Sequence, residues 1–158
     1  MSIYGDSIFS INEAVKESEK KILTGIKVKG KDIIFYKYKD QLKKEDVESV
    51  LLLIKKAAKV LNSNFDEILN FAIKNYIKSN YADNEKDAKK ELEFTGISVD
   101  WCYKNDQLSI TTERGEVVLF SGYFSSKAMD RDMHSMVMEI GIDIVRNELL
   151  VSHVYIDG

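Results

Sequence analysis

The hydrophobic repeat of this chain changes once along its length, from a helical period to a period of two, and that change limits the folds open to it. Val47, Val50, Leu51, Ile54, Ala57, Ala58 and Leu61 recur at spacings of three and four, which places them on one side of a helix. Leu53 and Val60 widen the stripe, so cover on more than one side is expected. Asn62-Ser63-Asn64 then breaks the run, and Asn64 with Glu67 matches a capping box with Asn as the cap. A second helix follows, with Phe65, Ile68, Leu69, Ala72, Ile73 and Tyr76 facing inward. The short break predicts a helical hairpin. Residues 85–93 read as a third, mostly polar helix.

Beyond that point the period is two. Ile97, Val99, Trp101 and Tyr103 alternate with Ser98, Asp100 and Cys102. Asn105-Asp106 is a turn signal, and Leu108, Ile110 and Thr112 form a return strand. Glu113-Arg114-Gly115 turns into residues 117–121, and Gly122 reads as a bulge or strand end. After a loop at 125–132, Met136, Met138, Ile140, Ile142 and Ile144 alternate strictly, and Arg146-Asn147-Glu148 leads into a last strand over 149–156. Strands joined by such short turns are antiparallel, because a parallel crossover needs a dozen or more residues. Near the start, residues 20–28 and 32–38 are β-rich runs separated by Lys29-Gly30-Lys31. Gly30 accepts φ > 0, which predicts a hairpin. Residues 12–19 read as a short helix or an irregular lead-in. The expected fold is therefore α+β, a single domain over 1–158. It comprises an N-terminal β-hairpin, a helical hairpin and a four- to five-stranded antiparallel meander packed against the helices. Neither layer can bury its apolar side alone, so each covers the other.

Composition narrows the setting. Of 158 residues, 44% are apolar and 31% charged, values of a folded chain of one-domain size. No apolar run approaches the ~20 residues that span a bilayer. The opening Met1-Ser2-Ile3-Tyr4-Gly5-Asp6 lacks the basic and greasy regions of a secretory signal. Cys102 is the single cysteine, which excludes an internal disulfide. A cytoplasmic protein without membrane contact is the expectation. Net charge is unevenly placed: residues 1–98 hold 18 lysines against 16 acids, whereas residues 99–158 hold five basic residues against ten acids. An acidic module repels phosphate and suits a basic partner surface, so no nucleic-acid partner is expected. Lys27, Lys29, Lys31, Lys37 and Lys39 cluster on the hairpin without interleaved stacking platforms. They read as protection of an exposed sheet edge.

Motifs of catalysis are missing. There is no Gly-x-x-x-x-Gly-Lys-Ser/Thr loop, no Gly-x-Gly-x-x-Gly, no Gly-x-Ser-x-Gly and no His-Glu-x-x-His, and two histidines cannot form a three-histidine zinc site. Three constellations remain. Asp130, Asp132 and His134 alternate before a strand in a pattern able to face a hard cation, although the further oxygens that Ca²⁺ needs are not nearby. The plainer reading is a charged loop, with His134 bonding backbone at the strand entry. His153 alternates with Val151 and Tyr155 as a core or edge residue, and Cys102 lacks a basic neighbour to activate it. Trp101, Tyr103, Phe120, Tyr123 and Phe124 supply either core or a contact surface; Trp101 is expected in the core, and Tyr123 and Phe124 fit either. No catalytic residue, no metal and no cofactor is expected.

The stretch from Leu92-Glu93-Phe94-Thr95-Gly96-Ile97-Ser98-Val99 to Ile156-Asp157-Gly158 resembles a group of small bacterial domains. Their pattern is a strand after a helical segment, an acidic turn, a strand ending in aromatics, a His-Ser-x-x-hydrophobic-Glu element, and a final hydrophobic-Asp/Glu-Gly. Val118-Leu119-Phe120, His134-Ser135-Met136-Val137-Met138-Glu139 and Val154-Tyr155-Ile156-Asp157-Gly158 carry the likeness. The chain departs from the pattern in the insertion at 125–132. Such domains resemble immunity proteins of polymorphic-toxin and contact-dependent growth inhibition systems. The resemblance implies a cognate protein toxin as partner, with a nuclease, whose cleft is basic, as one candidate; it supplies no catalytic residues. On this reading Glu113, Glu116, Asp130, Asp132, Asp143 and Glu148, at turns and loop ends, join Tyr123 and Phe124 as the expected docking residues. Two other readings stay open: a small metal-dependent or hydrolytic enzyme using the Asp130/Asp132/His134 region or His153, and a homo-oligomer formed through a sheet edge.

Overall fold

The computed structural model describes residues 19–38, 47–99, 109–112 and 115–157. Strands β1 (Glu19–Val28) and β2 (Lys31–Tyr38) form the expected hairpin. Lys29 and Gly30 take φ of 48° and 80°, the two positive values of the turn whose twist matches paired strands. Asn62 braces it from a helix, its Oδ1 accepting from Lys29 N (3.2 Å) and its Nδ2 donating to Lys27 O (3.0 Å). Between Leu23 and Lys27 the register shifts, with Gly25 at φ 71°. Thr24 holds this bulge, its hydroxyl accepting from Ile26 N (3.0 Å) and donating to Ile33 O (2.8 Å).

Helices α1 (Val47–Ser63), α2 (Phe65–Lys78) and α3 (Glu85–Glu91) follow. Ile54, Ala57, Ala58, Val60 and Leu61 of α1 are buried, as are Phe65, Ile68, Ala72, Ile73 and Tyr76 of α2. The capping box at Asn64 does not form. Asn64 instead turns its amide back to donate to Val60 O at 2.8 Å, and makes no side-chain cap bond. The Val60 carbonyl, which also accepts from Asn64 N at 3.0 Å, takes the side chain that the cap would have used. Only Asn64 separates the helices. α1 lies against β1, and α2 against α3 and the last strand. A side-chain cap does form at α3: Asn84 Oδ1 accepts from Asp87 N (2.9 Å) while Asn84 Nδ2 donates to Asp87 Oδ2 (3.1 Å).

The second half contributes β3 (Glu93–Val99), β4 (Ser109–Thr112), β5 (Gly115–Ser125), α4 (Lys127–Arg131), β6 (Ser135–Asp143) and β7 (Glu148–Asp157). All strands join one seven-stranded sheet in the order β1-β2-β3-β5-β6-β7, with β4 also on β5. Val117 and Val118 pair with β6 on one side and β4 on the other, so β3 and β4 lie end to end along the same edge of β5. Antiparallel pairing joins the strands from β3 to β7, but they are not a simple meander, because among the described residues β3 pairs with β5 and not with its expected return strand β4. The sheet is also mixed, β2 running parallel to β3 and pairing Ile33 with Ile97, Ile34 with Ser98 and Phe35 with Val99. The helices supply the long crossover that a parallel pair requires. Gly122 neither ends β5 nor makes a bulge; it pairs in unbroken register with Met138. A Cβ there would lie 3.4 Å from Ile140 Cδ1 and 3.9 Å from the Phe94 and Phe124 rings. Register shifts occur instead between Phe94 and Gly96 and between Gly141 and Ile142. The face carrying Phe120, Phe124, Met136, Met138, Ile140 and Ile142 packs under the helices in one core. Among the described residues, no helix is long and apolar enough to cross a membrane.

Two helix ends share a geometry that matters below. Asn80 (φ 65°) and Met133 (φ 59°) are left-handed residues after α2 and α4. At α2, Asn80 N donates to Ile77 O and Tyr81 N to Tyr76 O; at α4, Met133 N donates to Asp130 O and His134 N to Met129 O. Both ends are Schellman motifs. Asn tolerates this conformation, whereas Met bears the roughly 1–2 kcal/mol cost of a Cβ there. Met133 is 84% exposed, so its side chain gives little in return. Met133→Gly is expected to stabilise the fold by about 0.5–1 kcal/mol, read as a higher urea midpoint. A lower midpoint would contradict the assignment.

Candidate functional site

The acidic residues expected to dock a partner are split between two ends of the sheet. Asp143 and Glu148 face each other at the β6–β7 turn, and Val117, beside Glu116, pairs with Asp143. The side chain of Glu116 is not among those described, and Glu113 lies outside the described residues, as do Cys102, Trp101 and Tyr103. Asp130 and Asp132 are exposed at the opposite end of β5 and β6, on α4 and its C-cap. The eight residue-to-residue steps of β5 from Val117 to Ser125 separate the two ends by about 26 Å at ~3.3 Å per residue. These carboxylates do not form one face.

Two expected contacts are interior. Phe124 is 1% exposed and packs on Phe94 with ring centroids 5.4 Å apart, Phe94 in turn meeting Phe65 edge-on. Its place in β5 puts it on the helix-covered face, which turns it away from any partner. Asp143 is fully buried; its Oδ1 accepts from Val145 N (2.9 Å) and Arg146 N (3.0 Å). It shapes the β6–β7 turn, and its Oδ2 has no hydrogen-bond partner among the described residues. Asp143→Ala is expected to cost about 1–3 kcal/mol through the two lost amide acceptances, and Asp143→Asn, which keeps an acceptor, less than about 1. Urea titration of both variants checks this. Equal losses would show that the amide bonds are not what Asp143 contributes.

Tyr123 is on the open face of the sheet, 39% exposed, with its hydroxyl 3.1 Å from Ser98 Oγ. Beside it in register are Val137 and then Tyr155, which is 41% exposed. His153 is exposed on the edge strand, opposite Glu139 and 5.9 Å from the Tyr155 ring. His134 does not turn to the carboxylates. Its Nδ1 shares a short hydrogen bond with the Tyr81 hydroxyl, joining the residues that follow the two Schellman turns. Among the described residues no group of three His, Cys, Asp or Glu could hold a metal ion.

What the fold does assemble is a cleft of about 680 Å³ where α3, β3, the end of β5 and α4 meet, lined by Asp87, Lys90, Glu91, Glu93, Ser125, Ser126, Lys127 and Asp130. Pairing of Glu93 with Ser125 brings α3 to this place. Four carboxylates against two ammonium groups leave the lining net negative. Of these residues, only Asp130 was expected as a contact. Asp87, Glu91 and Glu93 were hidden because they belong in sequence to the lysine-rich first part. The one available signal was the capped, polar helix at 85–93 itself.

The floor of the cleft is fixed from within. Ser126 is 5% exposed and caps α4, its Oγ accepting from Met129 N at 3.1 Å. The Tyr76 hydroxyl lies 3.0 Å from Ser126 Oγ and 3.3 Å from Glu91 Oε1. Tyr76 also stacks on Tyr81 at 5.5 Å. Burial, only partly opposed by the Ser126 bond, raises the Tyr76 phenol above its ordinary 10.0, and the Glu91 carboxylate adds to the rise. Tyr76 is therefore a neutral hydroxyl at physiological pH. The partners of Ser126 Oγ are a phenol and an amide, neither of them a base able to activate a nucleophile. The network positions side chains around the cleft. A second cleft of about 510 Å³, at the β6–β7 end, is lined by Lys56, Lys59, Val60, Ser63, Asn64, Ile144 and Asn147, so the linings of the two clefts differ in sign. No family model, no curated protein and no solved structure matches the chain.

Proposed function

We propose that this chain is a binding protein of the immunity type, which neutralises a cognate bacterial toxin in the cytoplasm by covering a basic surface at or beside its active site. The acidic cleft between α3 and α4 is the observation that carries this reading. Three of its four carboxylates, Asp87, Glu91 and Asp130, stand on the short capped helices α3 and α4, which the Tyr76–Ser126–Glu91 bonds join, and Glu93 opens β3 beside them. A preordered set of like charges around a concavity speeds encounter with an opposite surface. The likeness of the C-terminal stretch to immunity domains supports the same reading. The docking site differs from the sequence expectation: Asp130 stays, Asp87, Glu91 and Glu93 enter, and Asp143 and Phe124 leave.

The test is binding to the product of the adjacent upstream gene, purified in an inactive form, by calorimetry at two salt concentrations. A complex that weakens as salt rises is expected. Absence of a complex, or one indifferent to salt, would overturn the proposal.

A further inference from the structure

We propose that the cleft between the end of α1 and the β6–β7 turn binds a small phosphomonoester, its phosphate held by Lys56 and Lys59. Lys56, Lys59, Val60 and Ser63 recur at spacings of three and four, so they share one stripe of α1. With Ile144 and Asn147 they line a space of about 510 Å³, within the range of small-molecule sites. Two ammonium groups, the Ser63 hydroxyl and the amides of Asn64 and Asn147 form its polar lining, and no carboxylate joins them. Asp66, Glu67 and Glu148 stand close in sequence but outside that lining. Both lysines are exposed, and neither has an ion-pair partner among the described residues. Like charges one helical turn apart repel. An anion between them removes that repulsion.

The walls are fixed before a ligand arrives. Asp143 Oδ1 accepts from Val145 N and Arg146 N, and Asn147 takes φ of 56°, which sets the turn that carries Ile144 and Asn147. On the opposite wall Asn64 is tied to Val60 O at 2.8 Å. Order already present lowers the cost of binding. Charge then selects the ligand. A phosphomonoester carries about −1.5 to −2 at neutral pH and three acceptor oxygens, which matches two ammonium groups and a hydroxyl. A carboxylate, or the phosphodiester of a nucleic-acid backbone, brings only one charge per group. The space is larger than a phosphate alone fills, and Val60 and Ile144 are apolar. The organic part of the ester lies against them.

Phenyl phosphate, inorganic phosphate and phenyl sulfate are the probes, titrated into the native chain and followed by backbone amide NMR shifts. The titration needs no toxin, so its outcome is independent of the proposed function. Shifts are expected at Lys56, Lys59, Ser63 and Asn147. Phenyl phosphate should bind more tightly than inorganic phosphate, which lacks the apolar group, and than phenyl sulfate, which carries a single charge. Lys56→Gln with Lys59→Gln removes both charges at exposed positions and should weaken phenyl phosphate by roughly tenfold or more, with the melting temperature unchanged. Absence of phenyl phosphate binding overturns the proposal, as do shifts centred elsewhere, either other probe binding as tightly, or native affinity in the double variant.

Discussion

Replacing Tyr76 with alanine is expected to remove about 3–5 kcal/mol of stability, a large share of the 5–15 kcal/mol typical of a domain. Tyr76 is fully buried between α2 and the sheet. Its loss leaves a cavity, removes the stack on Tyr81, and strips Ser126 and Glu91 of a shared partner. Tyr76→Phe keeps the ring and deletes only the hydroxyl, with an expected cost of about 1–2 kcal/mol because buried Ser126 loses a bond. The pair separates packing from hydrogen bonding. The pH dependence gives a further check. Because the folded phenol titrates above 10.0, its contribution is intact below that pH. Above it the unfolded chain ionises first, and stability is lost as pH rises towards the folded value. The Phe variant lacks this term and should lose less stability above pH 10. Urea unfolding of the three proteins between neutral and alkaline pH measures all of this. Parallel alkaline losses in native and Phe proteins would contradict it.

The second large effect concerns association. Glu93→Lys with Asp130→Lys turns the cleft lining from four carboxylates and two ammonium groups into two and four. Neither side chain carries a bond that holds the fold among those described, so the melting temperature should change little. Steering reverses sign, and the association rate with a basic partner should fall by roughly 10- to 100-fold at low salt. At high salt the variant and native rates should converge, because screening over about 10 Å removes the long-range term. Stopped-flow measurement at both salts decides it. A variant that binds at the native rate would show that the partner docks elsewhere.

Local chemistry carried much of the fold. Gly30 announced its turn because it accepts a positive φ, although nothing in the sequence marked Lys29 for the positive φ it also takes, and the stripes of α1 and α2 gave their buried faces. The alternation from Met136 to Ile142 likewise gave the core face of β6. The parallel β2–β3 pair was not legible, since Ile33 and Ile97 are brought together by the crossover and by no turn signal. Asp143 was misjudged because a carboxylate beside a turn usually faces water; this one is drawn inside by two turn amides. The cleft was the hardest to see. Its acids come from both charge regions of the chain and gather only when Glu93 pairs with Ser125, while Ser126 and Tyr76, fifty residues apart, meet beneath them.

Hydrogen exchange on the purified complex locates the docking surface without any substitution. Slowed exchange should map to α3, to the start of β3, and to the run from Ser125 through α4. Protection confined to the Tyr123–Tyr155 face, or to the Lys56–Lys59 end, would contradict the assignment of the acidic cleft as the place where the partner sits.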